Sequence, residues 1–367
     1  MPRHLQTDRW MFGSTVALCL VGAIMVFSAS AVTARDEYGN GSHFLLRQLV
    51  WLALGLAGMM ALMNVDYRKL RRPEFVFTAL FAVLVMLVGA FFLDKSHATH
   101  RWIRLGPASL QPSEFAKLAV IFYLAWFLER RRRPESFGVN NWKRTILPAL
   151  GPVLAFVGLI VIEPDLGTAV EIFIIALAML YVAGLDGKYI VWAFVAAMPV
   201  VYFLIVRVSY RYDRVVAFLN PAADPQGAGF QLLQSLIAVG SGGFTGVGLM
   251  ESKQKLFYLP EAHTDFIFSV LCEELGFIGG ALVLGLFAVY GWRGMRSAFN
   301  IKDDFGRLAA LGITVMVLSQ ALINLGVVLG MMPTKGIPLP FISYGGSSLL
   351  VMLLATGVLL NISQQAD

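Results

Sequence analysis

Three residues that can exchange protons stand at alternate positions just before an apolar run: Glu261, His263 and Asp265. An Asp at the bilayer centre costs roughly 2.5–3.5 kcal/mol on insertion scales, and less near an interface. Such a cost is unusual without a function, so Asp265 is the leading candidate for a catalytic residue. The spacing of His263 from the acids matches no zinc pattern, which favours a hydrogen-bonding role for this side chain over metal binding.

Basic residues suited to phosphate stand at the head of the segment that precedes these acids. Arg207, Arg211 and Arg214 are spaced i, i+4 and i+7, so a continuing helix would present them on one side. Guanidinium groups match phosphate oxygens in a bidentate fashion. The alternative is an interfacial stripe bound to lipid headgroups. Both interpretations predict contact with phosphate.

A second group of polar residues, which includes Arg101, surrounds a predicted helix start at Pro112 and Ser113. Glu114 and Lys117 then lie three residues apart on one helix face. Two interpretations stay open: an ion pair within the helix, or a binding ledge at the mouth of a bundle. Further along, Asp165 follows Pro164 in a tight turn and is expected to cap the next helix.

The last unusual stretch, 333–348, holds three prolines and three glycines and cannot form a straight helix. Irregular backbone at membrane depth is tolerated only against protein or a cavity. Lys335 and the hydroxyl groups of Ser343, Ser347 and Ser348 are therefore expected to face a cavity. Two acids deeper in the neighbouring apolar run, Glu273 and Glu274, are expected to pair with basic groups inside the bundle.

The elements that must position these residues are membrane helices. Hydrophobic residues make up 57% of the chain and charged residues 14%, against about 45–50% and about 25% in soluble proteins. Apolar runs of spanning length predict ten helices. They lie near 10–32, 44–63, 75–93, 114–128, 146–162, 168–184, 189–206, 266–290, 308–332 and 346–361. Cys19 and Cys272 lie inside such runs, where a core position is more plausible than a disulfide.

The sequence therefore predicts an all-α polytopic membrane protein, with residues 1–367 forming one domain. Its longest connection, 207–265, joins predicted helices 7 and 8, and within it Phe230 to Val239 can form a short interfacial helix. With both termini in the cytoplasm, 17 of the 29 Lys and Arg residues fall on the inner side. This excess sets the orientation and places the long loop outside. It also explains the basic run 130–133 without nucleic acid as a partner.

Five ordered motifs together resemble the SEDS family (shape, elongation, division and sporulation). They are Gln111-Pro-Ser-Glu-Phe-Ala-Lys117, Glu163-Pro-Asp-Leu-Gly-Thr168, Gly240-Ser-Gly-Gly243, the stretch from Leu259 to Phe268, and the stretch from Pro333 to Ser348. The resemblance spans nearly the whole chain. Ser-Lys-Gln-Lys255 and Pro-Thr-Lys-Gly336 look more like the division branch of the family than like its elongation branch, which is the close alternative.

This resemblance implies a GT-C-like fold and a peptidoglycan glycosyltransferase that polymerises lipid II outside the cytoplasmic membrane. It implies a class B penicillin-binding transpeptidase as partner, and other divisome membrane proteins around it. The family's essential acid corresponds to Asp265, and its outer-cavity Glu and Lys correspond to Glu114 and Lys117. Arg101, Arg211, Arg214, His263, Lys335 and Ser343 complete the expected substrate-binding set.

The residues fit this chemistry independently of the resemblance. A carboxylate that takes the proton of an attacking sugar hydroxyl contributes roughly 10²–10⁴ in rate. The diphosphate leaving group needs charge stabilisation, for which Arg211, Arg214 or Lys117 is suited. No metal site is expected from the sequence, although a divalent cation such as magnesium or manganese stays open as a cofactor. A lipid II flippase and a scaffold for the transpeptidase are the competing interpretations.

Overall fold

The structure, a computed structural model, describes residues 7–94, 100–106, 108–132, 137–256 and 258–366. Long apolar stretches fold as helices because only intrahelical hydrogen bonds satisfy the backbone inside a membrane. Twelve α-helices occur in the described part. They are α1 Arg9–Tyr38, α2 His43–Met63, α3 Pro73–Leu93, α4 Pro112–Arg131, α5 Leu147–Ile162, α6 Leu166–Ala183, α7 Gly187–Val206, α8 Ser209–Leu219, α9 Phe230–Ser241, α10 Ile267–Asn300, α11 Asp304–Val328 and α12 Gly346–Gln364.

Short elements connect these helices. Tyr67–Arg71 and Pro221–Ala223 are 3₁₀ turns, and Trp142–Ile146 is a π-helical turn that leads into α5. The antiparallel strands β1 (Ile103–Leu105) and β2 (Ala108–Leu110) form a small hairpin before α4, with Ile103 opposite Leu110. Within the described ranges the fold is therefore all-α apart from this hairpin, as the apolar runs predict.

Each of the ten predicted spans coincides with a helix. In the described ranges, nine helices are long and apolar enough to cross a membrane. The tenth predicted span lies in α4, which is charged at both ends but is 20 residues long and therefore roughly 30 Å. Helices α8 and α9 lie in the long connection between α7 and α10, and α9 confirms the short helix expected there.

Burial separates inner helices from lipid-facing ones. Most residues of α4, α11 and α12 are buried, so these helices form the centre of the bundle. At the other extreme, α7 has no buried residue and presents apolar side chains on all sides, which is the pattern of a helix surrounded by lipid. Cys19 and Cys272 are free and buried, as expected.

Hydrogen bonds assign the connecting segments to two ends of the bundle. At one end, the main chain of Tyr344 donates to the carbonyl of His263, and the side chain of Arg101 donates to the carbonyl of Glu163. At the other, the ion pair between Arg71 and Glu129 joins the turn after α2 to the end of α4. All four unusual groups from the sequence lie at the first end, referred to below as the active-site end.

Two expectations, one about the long connection and one about α10, need correction. The helix does not continue through 207–214: α7 ends at Val206 and α8 begins at Ser209, so Arg207 is separated from Arg211 and Arg214 by a break. Among the residues that the structure describes, Glu273 of α10 pairs with no basic group. Its carboxylate accepts hydrogen bonds from Ser252 and from the backbone N–H groups at 253 and 254.

The expectation for Glu274 is confirmed, because its carboxylate forms a buried ion pair with Lys255 at 2.9 Å. The same carboxylate accepts a hydrogen bond from Ser28 of α1 at 2.6 Å. Nearby, α10 is kinked at Gly276, whose φ of 65° is accessible chiefly to glycine. The backbone of Gly246 passes so close to Gly276 that neither position has room for a side chain. The end of the long connection is thus fixed against α10 and α1.

Candidate active site at one end of the helical bundle

Asp265 lies in the turn that leads into α10 and is held through its main chain. Asn324 of α11 donates its side-chain amide to the carbonyl of Asp265 at 2.8 Å. Ser343 donates to the neighbouring carbonyl of Thr264 at 2.5 Å. Among the described residues, no hydrogen bond or ion pair is made to the Asp265 carboxylate itself. The backbone is therefore fixed while the carboxylate stays available to a substrate.

The surroundings of Asp265 favour its protonated form. Burial is the largest cause and Glu261 adds to it, so that the pKa of Asp265 is raised from 3.8 to about 7, against the opposing positive charges of Arg214 and Arg101. Removal from water disfavours a carboxylate unless a positive charge or hydrogen bond compensates. A carboxyl group with a pKa near neutrality is well matched to accept and release a proton at physiological pH.

Two arginines, Arg214 and Arg101, act on the Asp265 carboxylate, and a third, Arg211, acts on Lys335. Each of the three is anchored to a backbone carbonyl. Arg214 donates to Thr334 at 3.1 Å, and Arg211 donates to Leu204 at 3.1 Å. Arg101 donates to the carbonyls of Glu163 and Pro164. Because carbonyls neutralise no charge, all three guanidinium groups keep their full positive charge. The site can therefore attract an anion.

Lys335 adds a fourth positive group. Burial is the first cause that lowers its pKa, and the positive charge of Arg211 also lowers it, while Asp165 acts in the opposite direction. A lysine in these surroundings binds its proton less tightly until an anion arrives. Lys335 is thus suited to respond to a phosphate group that enters the site.

The three serines of the stretch 343–348 are buried, and each hydroxyl group makes a hydrogen bond within the protein, while their exposure to a cavity stays a prediction. Ser343 donates to the Thr264 carbonyl and accepts from the N–H of Leu339 at 2.8 Å. Ser347 accepts from the N–H of Gln111, and Ser348 accepts from Gln320. The hydroxyl groups thus join this stretch to the Asp265 turn, to the start of α4 and to α11. A role of Ser343 in substrate binding stays a prediction.

Glu114 and Lys117 form the ion pair that their spacing indicates, at 3.0 Å, and Lys117 is also 3.3 Å from Glu171 of α6. Lys117 donates at 2.6 Å to Gln320 of α11. The ledge interpretation fails for Lys117, because its side chain has no exposed surface. Removing one partner from such a buried group leaves uncompensated charge and costs about 3–5 kcal/mol. A role of Glu114 and Lys117 in substrate binding stays a prediction.

Asp165 caps α6 as expected, accepting from the N–H of Thr168 at 3.1 Å. Its other carboxylate oxygen accepts from Gln111 at 3.1 Å, which joins the start of α4 to the start of α6. Neighbouring Glu163 is buried, and burial first and the charge of Asp165 second raise its pKa to about 8. Glu163 is therefore largely uncharged at neutral pH.

His263 lies among aromatic rings. Its ring centroid is 4.7 Å from that of Phe44 and 5.7 Å from that of Tyr344. Burial lowers its pKa, which keeps the ring neutral. The ring therefore packs the start of α2 against the active-site end, and a direct contact of His263 with substrate stays a prediction. In the described ranges, no cluster of three His, Cys, Asp or Glu side chains is arranged to hold a metal.

Three supporting residues were missed by sequence reasoning. Gln320 and Asn324 lie one turn apart in α11 and hold the segment after it, donating to the carbonyls of Pro338 and Ile337 at 2.8 Å each. Two amides at i and i+4 within an apolar run were a detectable signal. Gly336 lies directly against the Asp265 carboxylate, where a methyl group would come within 2.8 Å of Oδ2. No sequence pattern indicates this contact.

A polytopic helical bundle that places an acid without a hydrogen-bond partner among the described residues, Asp265, near several cations at one end has the layout of a membrane-embedded enzyme. The profile of the family described as "Cell cycle protein", which groups FtsW, RodA and SpoVE proteins, matches residues 9–367. The chain is 44% identical to a probable peptidoglycan glycosyltransferase FtsW of Trichlorobacter lovleyi, over 98% of this chain and 94% of that protein. It is also 44% identical to the stage V sporulation protein E of Bacillus subtilis, over 95% of each.

Solved structures of the same family have a similar fold. A chain of a peptidoglycan synthase complex, studied for its coordination of polymerization and crosslinking, superposes with a TM-score of 0.79 at 32% identity over 98% of each chain. The rod shape determining protein RodA of Thermus thermophilus gives a TM-score of 0.72 at 28% identity over 100% of each chain. The chain belongs to the SEDS family and is FtsW-like within it. It is a multi-pass glycosyltransferase of the bacterial cytoplasmic membrane.

Proposed function

We propose that this protein polymerises lipid II into β-1,4-linked glycan strands on the outer face of the cytoplasmic membrane during cell division, with Asp265 as the general base. The observation that carries the proposal is the environment of the Asp265 carboxylate. It makes no hydrogen bond in the described part of the chain, has a pKa of about 7, and is surrounded by cations anchored on backbone carbonyls. An RodA-type role in elongation would use the same chemistry.

In the proposed reaction, the 4-hydroxyl oxygen of one sugar attacks the anomeric carbon of another. The new bond is C1–O4, and the broken bond joins C1 to the oxygen of the lipid diphosphate. Asp265 takes the hydroxyl proton, and the diphosphate leaves with the bonding electrons. Attack from the face opposite the leaving group turns an α-linkage into a β-linkage. A positioned base of this kind contributes roughly 10²–10⁴ in rate.

The leaving diphosphate needs positive charge more than it needs a proton. Arg211 and Arg214 are suited to this because their guanidinium groups are anchored but not neutralised. Lys335 would regain its full proton affinity next to phosphate. Lys117 is a poorer candidate for direct contact, since it is fully buried between Glu114 and Glu171. We assign the Glu114–Lys117 pair to positioning, through Gln320, of the segment that carries Lys335.

A divalent cation would need ligands from the substrate as well as the protein. Mg²⁺ commonly binds through one or two carboxylates together with phosphate oxygens. Asp265 offers one carboxylate without a protein partner among the described residues. Because Asp265 is the proposed base, a magnesium or manganese ion would be held mainly by the oxygens of the substrate diphosphate, where it would supply positive charge.

We further propose that both termini are cytoplasmic, that the active-site end is extracytoplasmic, and that the partner is a class B penicillin-binding transpeptidase, alongside other divisome membrane proteins. The family member in the peptidoglycan synthase complex supports a partner that crosslinks the glycan. The collection of the polar groups at one end favours an enzyme over a flippase, because a transporter places its site near the midplane between repeats.

The proposal is tested with purified protein together with its transpeptidase and lipid II. We expect glycan strands whose length grows with time, detected by gel electrophoresis and mass spectrometry, and no movement of fluorescent lipid II across vesicles. Translocation of lipid II without any strand formation would contradict the proposal and establish the flippase. A wild-type chain that is inactive in both assays, while the complex forms normally, would favour the scaffold.

A further inference from the structure

A polar cavity of about 230 Å³ lies at the end of the bundle opposite Asp265. It is formed where the start of α1 meets the last turns of α10 and α12. Three arginines line it, Arg9, Arg293 and Arg296, together with the acid Asp8. From Asp265 to this cavity, α10 runs for roughly 40 Å at 1.5 Å per residue. The cavity therefore plays no direct part in the chemistry at Asp265.

Both carboxylate oxygens of Asp8, the one acid that lines this cavity, already accept hydrogen bonds. One oxygen of Asp8 caps α1 by accepting from the N–H groups of Trp10 and Met11, at 3.1 Å each. The other accepts from Nε of Arg293 at 2.6 Å. The cap means that the N–H groups of Trp10 and Met11 are not left for an anion. Any anion in the cavity would be bound by arginine side chains.

The three arginines have guanidinium N–H groups that are available to a ligand. Arg293 is fixed by Asp8 through Nε, and its two terminal nitrogens make no further hydrogen bond in the part of the chain that the structure describes. In the same described part, neither Arg9 nor Arg296 forms a hydrogen bond or an ion pair. Three guanidinium groups against one carboxylate leave an excess of two positive charges in a concave site. Such forks match phosphate oxygens in a bidentate fashion.

Two exposed tryptophans indicate the depth of the cavity relative to the membrane. Trp10 is 70% exposed and lines the cavity, and Trp292 is 64% exposed beside Arg293. Tryptophan side chains concentrate at the membrane–water interface, at the level of the lipid headgroups. A cavity at this level is reached by a lipid phosphate without leaving the bilayer. Basic pockets between helices at this depth are suited to anionic headgroups.

We propose that this cavity is a binding site for the phosphate headgroup of an anionic phospholipid, held by Arg9, Arg293 and Arg296 at the end of the bundle opposite Asp265. The headgroup occupies the polar cavity, and the acyl chains run along the bundle on the side of the two tryptophans. The lipid thereby joins the start of α1 to the ends of α10 and α12. This proposal does not depend on the reaction at Asp265.

The test uses the full chain purified in mild detergent, with bound lipids counted by native mass spectrometry. Phosphatidylglycerol, cardiolipin and zwitterionic phosphatidylcholine are added in turn. The test variant carries Arg9→Gln and Arg296→Gln, which spares the Arg293–Asp8 pair. The matched control carries Arg72→Gln and Arg144→Gln, two exposed arginines at the same end of the bundle but outside the cavity.

We expect the wild-type and control proteins to retain the anionic lipids, and the test variant to bind them roughly 30-fold more weakly, about 5-fold for each arginine. Phosphatidylcholine should bind weakly to all three. Equal retention by the test and control variants would overturn the proposal. Inorganic phosphate that binds the cavity and displaces the lipid at comparable concentration would assign the site to a soluble anion, which also overturns it. Unchanged thermal unfolding in the test variant ensures that lost binding is not lost folding.

Discussion

Asp265 can act as a base only in its charged form, and its neighbours decide how much of that form is present. The negative charge of Glu261 helps to raise the pKa of Asp265 to about 7, while Arg214 and Arg101 lower it. The polymerisation rate should therefore rise with pH as Asp265 loses its proton near neutrality. This rise is measured as the acid side of the pH–rate profile.

Replacing Glu261 tests whether the pKa of Asp265 controls the acid side of the profile, because the change removes one nearby negative charge. In Glu261→Gln a negative neighbour is lost, so the pKa of Asp265 falls and the acid limb of the profile shifts to lower pH. Activity below neutrality should then exceed that of the wild type. Glu251→Gln is the matched control, because Glu251 is an exposed acid of the same loop that does not contribute to the pKa of Asp265. An unmoved limb in Glu261→Gln would mean that another group controls the rate.

Gly336 tests how closely the carboxylate must be placed. A methyl group there would come within 2.8 Å of the Asp265 carboxylate, the movable end of a side chain, so the carboxylate and not the backbone must shift. Since misplacing a catalytic group by about 1 Å can cost 10²-fold, we expect Gly336→Ala to lower kcat by roughly that factor while the protein keeps its thermal stability.

The control for this change is Gly345→Ala, in the same non-helical segment. A methyl group at Gly345 meets its nearest atom at 3.9 Å, which is ordinary contact. Polymerisation and thermal unfolding are measured on both variants. If Gly336→Ala and Gly345→Ala were equally active, the close contact between Gly336 and Asp265 would have no catalytic importance.

At the scale of elements, α11 holds the non-helical segment and the Asp265 turn together. Asn324 donates to the carbonyls of Asp265 and Ile337 at 2.8 Å each. In Asn324→Leu both carbonyls lose their partner, and a buried group left unsatisfied costs about 1–3 kcal/mol. We expect lower stability together with a fall in kcat of at least tenfold, because the turn that carries Asp265 is no longer fixed.

Asn361 provides a matched comparison at the opposite end of the bundle. It is also buried, accepts from the N–H of Tyr67 at 2.9 Å and donates to the carbonyl of Met63 at 2.7 Å. Asn361→Leu should destabilise the protein to a similar extent. Its kcat, corrected for the folded fraction, should stay near the wild-type value. A similar loss of kcat in both variants would show that the effect of Asn324 is general stability and not position.

For the whole molecule, the orientation predicted from basic residues can be measured directly. Tyr258 and Trp142 are exposed to nearly the same extent, 56% and 57%, in segments at opposite ends. A membrane-impermeant thiol reagent should label Tyr258→Cys in intact cells, and Trp142→Cys only after the membrane is opened. Background labelling is low because both native cysteines are buried. The reverse pattern would invert the assignment of the active-site end.

The arrangement of spans was predictable because hydropathy alone identifies segments that can satisfy their backbone inside lipid. All ten predicted spans coincide with helices, and the break around 333–345 follows from its prolines. The fate of individual polar side chains was less predictable. A lysine three residues after a glutamate fits an exposed ledge as well as a buried pair. For Lys117 the buried pair is established only by its contacts with Glu171 of α6 and Gln320 of α11, which the local sequence does not indicate.

The other features that the sequence did not predict depend on contacts between segments far apart in the chain. The break between α7 and α8 falls at Arg207 and Val208, where neither proline nor glycine marks it. Gly336 is one glycine among many until the fold brings it to Asp265. Such features depend on packing partners far apart in sequence, which periodicity does not encode.

The measurement that tests the central claim most directly is polymerisation of lipid II by Asp265→Asn, compared with wild type and with Glu261→Gln. Asparagine keeps the size of the side chain but cannot take a proton, so we expect the rate to fall by roughly 10²–10⁴ while the protein stays folded and bound to its transpeptidase. Glu261→Gln, which also removes one charge from the same loop, should stay active. An Asp265→Asn protein that forms glycan strands at the wild-type rate would contradict the assignment of Asp265 as the general base.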